Sequence, residues 1–308
     1  MDEQRKAIYT GESHKIKTPF STTVFNGIGG LILIITALLC LVPFILLISA
    51  SFTSDRSIAF DGFRLIPGET SYEAYRILFR NPVIIGRAYF VSIFVTLTGT
   101  ACGLLVTSAA AYPLSRSYFK YRFQLSFYFF FTTLFNGGIL ATYIFMVRYL
   151  NLSNTYAALI LPPMVQVFFL LIMRTFMAGI PESIFEAAKI DGANEYMIFF
   201  ILVLPLSTAP LATIGLFLAL GYWNDWYNAM LYVSRPEMYP LQYMLHNMLT
   251  AAEAIGRLAQ LAEIRAVDTP TRSLRMAMTV IATGPILLVY PFVQRYFIKG
   301  ITLGSVKG

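Results

Sequence analysis

Six stretches of this chain run for nineteen or more residues without an acid, a base or a histidine: Phe25–Ala50, Ala88–Pro113, Phe123–Val147, Thr155–Met173, Tyr196–Tyr222 and Met276–Gln294. A helix rising about 1.5 Å per residue needs roughly 20 apolar residues to cross a hydrocarbon core of about 30 Å, whereas a tilted membrane strand needs only about 9 to 11. The runs have helical length, so the expected fold class is all-α: an integral membrane protein with six transmembrane helices. Composition agrees, with 57% hydrophobic and 13% charged residues and a mean hydropathy of +0.65; a soluble chain carries about a quarter charged residues. The first run exceeds the 7 to 15 residues of a signal peptide's apolar region and reads as a retained helix.

An even number of spans puts both ends of the chain on one side. Basic residues near span ends favour the cytoplasm, and they gather at Arg5, Lys6, Lys15 and Lys17, at Arg116, Lys120 and Arg122, and at Arg295, Lys299 and Lys307. Both termini of a multi-pass membrane protein are therefore expected in the cytoplasm. The sorting divides by residue type. All seven lysines fall on the assigned inside, Lys189 among them, while the segment from Ser51 to Arg87 carries five arginines on the assigned outside.

The net charge of +7 is explained by this anchoring and points to no nucleic acid. Cys40 and Cys102 lie inside apolar runs, where a small buried hydrophobe is the expected role. His14 and His246 are the two histidines, and no HExxH, GxSxG or cysteine-histidine metal spacing occurs, so no catalytic residue and no metal ligand is assigned. No GxxxxGK[ST] phosphate loop occurs either, so any ATP must be hydrolysed by a partner. An ion-gradient carrier is the alternative. Proton coupling would need titratable groups inside the spans, which they lack; sodium coupling through broken helices would remain open at Asn136-Gly137-Gly138 and Pro162-Pro163.

The segment between the fourth and fifth runs breaks the apolar pattern with "EAAKIDGANEYMIFFILVLP", Glu186 to Pro205. Pro181 suits the first turn of a helix, and Glu182 and Glu186 follow near the positive end of its dipole. Glu182, Glu186 and Lys189 share a face at four- and three-residue spacing. Gly192 is suited to stop the helix, and a second helix is expected from about Asn194. An ordinary solvated loop fits the same pattern.

Glu186-Ala187-Ala188, then Asp191-Gly192-Ala193, then Leu204-Pro205 resemble the EAA loop of ABC importer permeases. "YWNDWYNAMLYV" from Tyr222, "YPLQYML" from Tyr239 and the terminal "YPFVQRYFIKGITLGSVKG" are similar to the carbohydrate-uptake, maltose-permease-like branch. The resemblance implies a type I importer bundle in which Glu186, Ala187, Ala188, Asp191, Gly192, Ala193 and Pro205 belong to a cytoplasmic coupling helix and loop that dock on an ATPase. It implies that Gly300, Thr302, Gly304, Val306, Lys307 and Gly308 reach the same ATPase dimer. It also implies a second permease subunit as heterodimer partner and an extracellular solute-binding lipoprotein or periplasmic binding protein. The substrate would be a sugar or oligosaccharide. This chain would hold no cofactor, ATP and Mg residing on the ATPase. Relatives of this type commonly carry a proline four residues after Pro205, where this chain has Ala209, with Pro210 next.

Sugars combine hydroxyls with apolar ring faces, so aromatic platforms beside amides or carboxylates suit them. Trp223, Asn224, Asp225 and Trp226 supply that combination at the end of the fifth run, although an interfacial aromatic belt reads the same way. Asn136 and Gln166 are deeper candidates for the pathway. The division of the chain is a tail over 1–24, a six-span domain over 25–296 and a tail over 297–308. Within the domain lie the coupling loop at about 181–205 and an outer segment at about 228–273. Leu241, Leu245, Met248 and Leu249 recur at helical spacing in that outer segment, as do Leu258, Leu261 and Ala262.

Overall fold

A computed structural model describes residues 20–135, 137–261 and 271–305, with side chains over 25–135, 137–258 and 271–288. The described chain is helical, and its one β-contact is an isolated bridge between Thr53 and Thr70. Helix α1 is Phe20–Ser51. It is apolar on all sides and packs along the last helix of the chain, leaving most of its surface for lipid or another subunit. Two short helices, α2 (Asp55–Asp61) and α3 (Glu73–Leu78), lead into α4 (Pro82–Ser115). Its Pro82 stands in the first turn, where a missing N–H costs nothing. At 34 residues, α4 is roughly 50 Å long and traverses the bundle from end to end.

The third, fourth and fifth apolar runs are broken rather than single straight helices. The third is α5 (Arg122–Leu134) followed, past Gly137, by α6 (Gly138–Tyr149). The fourth is α7 (Tyr156–Ile160), an irregular passage through Pro162 and Pro163, and α8 (Val167–Ala178). Prolines cannot donate to the preceding turn, and the Tyr222 hydroxyl donates to the Ile160 carbonyl at the end of α7, 2.7 Å. After α8 the chain turns by 72° into α9 (Glu182–Ile190). The fifth run is α10 (Glu195–Leu206), then an 80° bend at Ser207, then α11 (Thr208–Trp223). The bend lies between Pro205 and Pro210.

Beyond α11, α12 (Tyr227–Tyr232) and α13 (Leu241–Leu261) occupy the outer segment, and α14 (Thr271–Ser305) closes the chain. Leu241, Leu245, Met248 and Leu249 turn one face of α13 into a core shared with α3, α4 and α14, whereas Leu258 is exposed and Ala262 lies outside the described residues. Pro285 interrupts α14, so the Ile281 carbonyl four residues earlier has no helical donor. The Tyr89 hydroxyl takes that place at 2.8 Å, and Trp223 Nε1 donates to the next carbonyl, Ala282, at 3.0 Å.

The core thus has two poles along α4. Around its N-terminal half lie Ala74, Leu78, Ile85, Ala88, Leu241 and Leu274; around its C-terminal end lie Tyr112, Phe169, Met173, Met177, Phe185 and Ile198. Between them, Gly99 lets the Tyr222 ring lie flat against α4, where a Cβ would sit 2.4 Å from Cζ. Close approach through small residues is how helices pack without a hydrophobic drive in lipid. Cys40 and Cys102, expected to be buried, are both exposed on this chain, because its apolar exterior is itself a place for apolar side chains.

Candidate functional site

The charged segment singled out in the sequence forms a helix, a tight turn and a second helix at the C-terminal pole of α4. Pro181 stands just before α9 in an extended conformation (ψ 136°) rather than inside its first turn, and Glu182 is the first helical residue. Helix α9 ends as its sequence demands. Gly192 has φ +81°, its N–H donates to the Lys189 carbonyl at 3.1 Å, and the Ala193 N–H donates to that of Ala188 at 2.9 Å. These two bonds satisfy carbonyls that a helix end otherwise leaves open. Asn194 then caps α10, its Oδ1 accepting from the Met197 N–H at 2.8 Å.

One face of α9 is locked to the bundle. Phe185 is 2% exposed and lies under the Arg116 guanidinium, 4.0 Å from its ring centre. Arg116 is itself buried, donating through Nε to Ser115 Oγ at 3.0 Å and through its other end to the Met177 carbonyl. No carboxylate among the described residues pairs with it; its charge is balanced by the negative C-terminal end of α8 and by aromatic faces. Arg174 of α8 does the reverse, donating to the Leu114 carbonyl in the last turn of α4 at 3.1 Å.

The ends of α9 are tied as well. Ser117 Oγ donates to Glu182 at 3.3 Å, and Lys189 pairs with Glu195 at 3.0 Å instead of with Glu186 on its own helix. Glu195 also accepts from the Tyr112 hydroxyl at 2.6 Å and from Tyr118 at 3.1 Å, and the Lys189 ammonium lies 4.0 Å over the Tyr118 ring. Partial burial by itself would raise the Glu195 carboxyl, but the hydrogen bonds from Tyr112, Lys189 and Tyr118 outweigh it and hold the group below the ordinary glutamate range. The bond to Glu195 raises Lys189 against the opposing effect of burial.

The opposite face of α9 is bare. Glu186, Ala187, Ile190, Asp191 and Gly192 are exposed, Ile190 at 86%, and among the described residues neither Glu186 nor Asp191 has an ion-pair partner. Ala188 and Ala193 point inward and pack beneath the turn, and Pro205 precedes the bend at Ser207. Arg116, Arg174, Tyr112 and Glu195 were not singled out from sequence as parts of this site. The signals were a base next to the last residue of a span and a base at the end of an apolar run.

At the other pole, the Trp223-Asn224-Asp225-Trp226 group divides. Trp223 is turned into the core, 7% exposed. Asp225 caps α12, accepting from the Asn228 N–H and Nδ2 at 3.0 and 2.6 Å. Trp226 and Asn224 line a cavity of about 390 Å³ with Gln242 and His246, whose ring stacks on Trp226 at 4.5 Å. Gln166 stands at the start of α8, exposed and away from this cavity, and Asn136 lies outside the described residues. Gly300, Thr302 and Gly304 fall in the final turns of α14, which runs helical where a tail was expected from 297; Lys307 and Gly308 lie outside the described residues.

No family model matches the chain. It is 42% identical over 277 residues, 90% of its length and 96% of the relative's, to the polygalacturonan/rhamnogalacturonan transport system permease protein YtcP of Bacillus subtilis (strain 168). It is 28% identical over 281 residues, 89% of its length and 94% of the relative's, to the trehalose/maltose transport system permease protein MalG of Thermococcus litoralis. Among solved structures it resembles a bacterial ABC transporter involved in the import of the acidic polysaccharide alginate, with a TM-score of 0.74 and 28% identity over 91% of this chain and 100% of that one.

Proposed function

Because this chain belongs to the membrane-spanning permease subunits of carbohydrate ABC importers, we propose that the bare face of α9 is where it receives mechanical work from a separate ATPase. The ion-gradient alternative falls with the same comparisons, since the relatives are transport-system permeases and the structural neighbour is an ABC transporter. One observation carries the coupling proposal. Helix α9 is fixed to α4, α8 and α10 through Phe185, Arg116 and the Lys189–Glu195 pair, while Glu186, Ala187 and Ile190 are exposed on the other face. A short helix rigid on one side and unpartnered on the other passes a push into the bundle instead of absorbing it.

In this reading the Glu186 pole is cytoplasmic, both termini lie on that side, and the α13 pole faces outward; the lysines all fall accordingly. The partners are a second permease subunit, an ATPase dimer that carries ATP and Mg, and an extracellular solute-binding protein that delivers a sugar or oligosaccharide. Closure of the ATPase pair moves α9, and with it the cytoplasmic ends of α4 and α8, to alternate the bundle between inward and outward access. Asp191, Gly192 and Ala193 hold the turn. The C-terminal stretch including Gly300, Thr302, Gly304, Lys307 and Gly308 is the second ATPase contact. Of the pathway candidates, Asn224 and Trp226 are the ones that line the cavity of about 390 Å³.

Purification of the tagged chain in mild detergent, with mass spectrometry and an ATP-hydrolysis assay, tests the proposal. An ATPase and a second permease are expected to copurify, and Glu186→Ala is expected to uncouple hydrolysis from uptake with unchanged amounts in the membrane. Coupled uptake at the normal rate in Glu186→Ala and Ile190→Asp together would overturn it.

A further inference from the structure

Two cavities meet at the α13 pole. The larger, about 600 Å³, runs between α2, α13 and the start of α14 and is walled by Phe63, Glu253, Arg257, Arg272 and Arg275. The smaller is the cavity of about 390 Å³ that holds Asn224, Trp226, Gln242, His246 and Thr279. Arg275 lines both, so they form one track.

The charges along this track do not cancel. Glu253 pairs with Arg275, but no carboxylate among the described residues pairs with Arg257 or Arg272. Among the described residues the larger cavity therefore presents three guanidinium groups against one carboxylate. Asp55 stands near Arg272 but is engaged by backbone, accepting from the Ser273 N–H at 2.7 Å and the Arg272 N–H at 3.2 Å, and so caps α14. Among the described residues the Arg272 side chain has no carboxylate partner. In the smaller cavity the Trp226–His246 stack supplies an aromatic platform and the Asn224 and Gln242 amides supply donors and acceptors at its edge.

We propose that this track binds an anionic carbohydrate, an oligomer of uronic acid units, with Arg257, Arg272 and Arg275 reading carboxylates and Trp226, Asn224 and Gln242 reading ring faces and hydroxyls. The proposal rests on the carbohydrate-permease reading and adds the charge of the substrate. Guanidinium groups grip carboxylates through two parallel hydrogen bonds, which ammonium groups cannot do. Three of the arginines in the outward segments, which carry none of the seven lysines, thereby gain a role that lysine could not fill. Positive-inside sorting treats the two residues alike. A concave site with an aromatic platform and amide edges suits a sugar chain better than the flat face of a protein, and the joined volumes exceed the roughly 300 Å³ lower bound of small-molecule sites.

The test uses the complete importer in lipid nanodiscs at fixed salt and reads tryptophan fluorescence during titration with trigalacturonate or with maltotriose, a neutral sugar of similar size. Of the chain's two tryptophans only Trp226 lines the track, so the difference between the titrations of the unsubstituted importer and of Trp226→Phe, which cancels the tryptophans of the other subunits, isolates the response of the track. Trigalacturonate is expected to give a saturable change at least about tenfold tighter than maltotriose. Arg257→Gln, which breaks no ion pair among the described residues, is expected to weaken it about tenfold, the loss of one charge-assisted contact. Equal binding of both sugars would overturn the assignment of charge. Absence of binding in an importer that still takes up oligosaccharide would overturn the track and leave the permease reading standing, whereas an importer that moves no carbohydrate would remove the premise. If Arg257→Gln instead weakens only docking of the solute-binding protein, the arginines serve a protein surface and the proposal is wrong.

Discussion

Arg116 and Arg174 cap each other's helices: Arg116, which follows α4, donates to Met177 in the last turn of α8, and Arg174 of α8 donates to Leu114 in the last turn of α4. Two parallel helices that end side by side bring two negative dipole ends and two sets of open carbonyls together, and the exchanged arginines answer both. The site's rigidity follows from this exchange, because the Arg116 guanidinium also covers Phe185 of α9.

Replacing either arginine by methionine should lower stability by about 1–3 kcal/mol, the cost of an unsatisfied buried acceptor. Arg116→Met should cost more, since the cation–π contact with Phe185 goes too, worth about 0.5–2 kcal/mol. The double variant should lose less than the sum, because the helix ends share one environment. Thermal unfolding midpoints in detergent measure all three, and strict additivity would show that the two bonds are independent.

Gly192 gives a test in which sterics and backbone conformation separate. Nothing lies within 4 Å of where its Cβ would be, so the constraint is its φ of +81° alone. Gly192→Asn should keep uptake near normal, because asparagine tolerates that conformation, whereas Gly192→Val should uncouple ATP hydrolysis from uptake while the protein remains in the membrane. Loss of uptake in both variants, with normal levels of protein, would point to crowding by the ATPase and not to the turn.

The apolar runs and the Glu186–Gly192 turn were legible in the sequence because each rests on local information. A charge-free run of helical length states its own environment, and a glycine after a short amphipathic helix states its own stop. What the sequence concealed was pairing at a distance. Lys189 looked like a partner for Glu186 on its own helix but pairs with Glu195 across the turn. Trp223 and Trp226 read as one aromatic group, yet three residues of helix ending turn one into the core and leave the other lining a cavity. The breaks at Pro162-Pro163 and Gly137-Gly138 were visible as residues, while the hydroxyl that takes the Ile160 carbonyl beside the first, from Tyr222, lies 62 positions away.

Tyr89→Phe should destabilise the bundle by roughly 0.5–1.5 kcal/mol, the typical net value of one such bond. The variant changes almost no volume, so its whole effect reports the Ile281 carbonyl that Pro285 leaves open. A Pro285→Ala background restores the helical donor and should abolish the effect. Equal loss in both backgrounds, measured by thermal unfolding, would mean that Tyr89 matters through packing on Trp223 and not through its hydroxyl.

The Lys189–Glu195 pair sets a pH window for the attachment of α9. Glu195 is held below its ordinary value of 4.5, so its contribution is complete above that value and is lost as pH falls through the lower folded one. Lys189 is raised above 10.5, so its contribution is complete below that value and is lost as pH rises through the higher folded one. Between these limits the attachment should not vary with pH. A spin label at Ser183→Cys, with Cys40 and Cys102 replaced by serine, reads the mobility of α9 directly. The label should be immobile and unchanged from about pH 6 to pH 9 and should loosen in acid. Glu195→Gln should be more mobile at neutral pH and should lose the acid transition, because an amide has no proton to gain. An acid transition of the same size in Glu195→Gln would assign it to another carboxylate, Glu182 with its Ser117 bond being the nearest on the same helix.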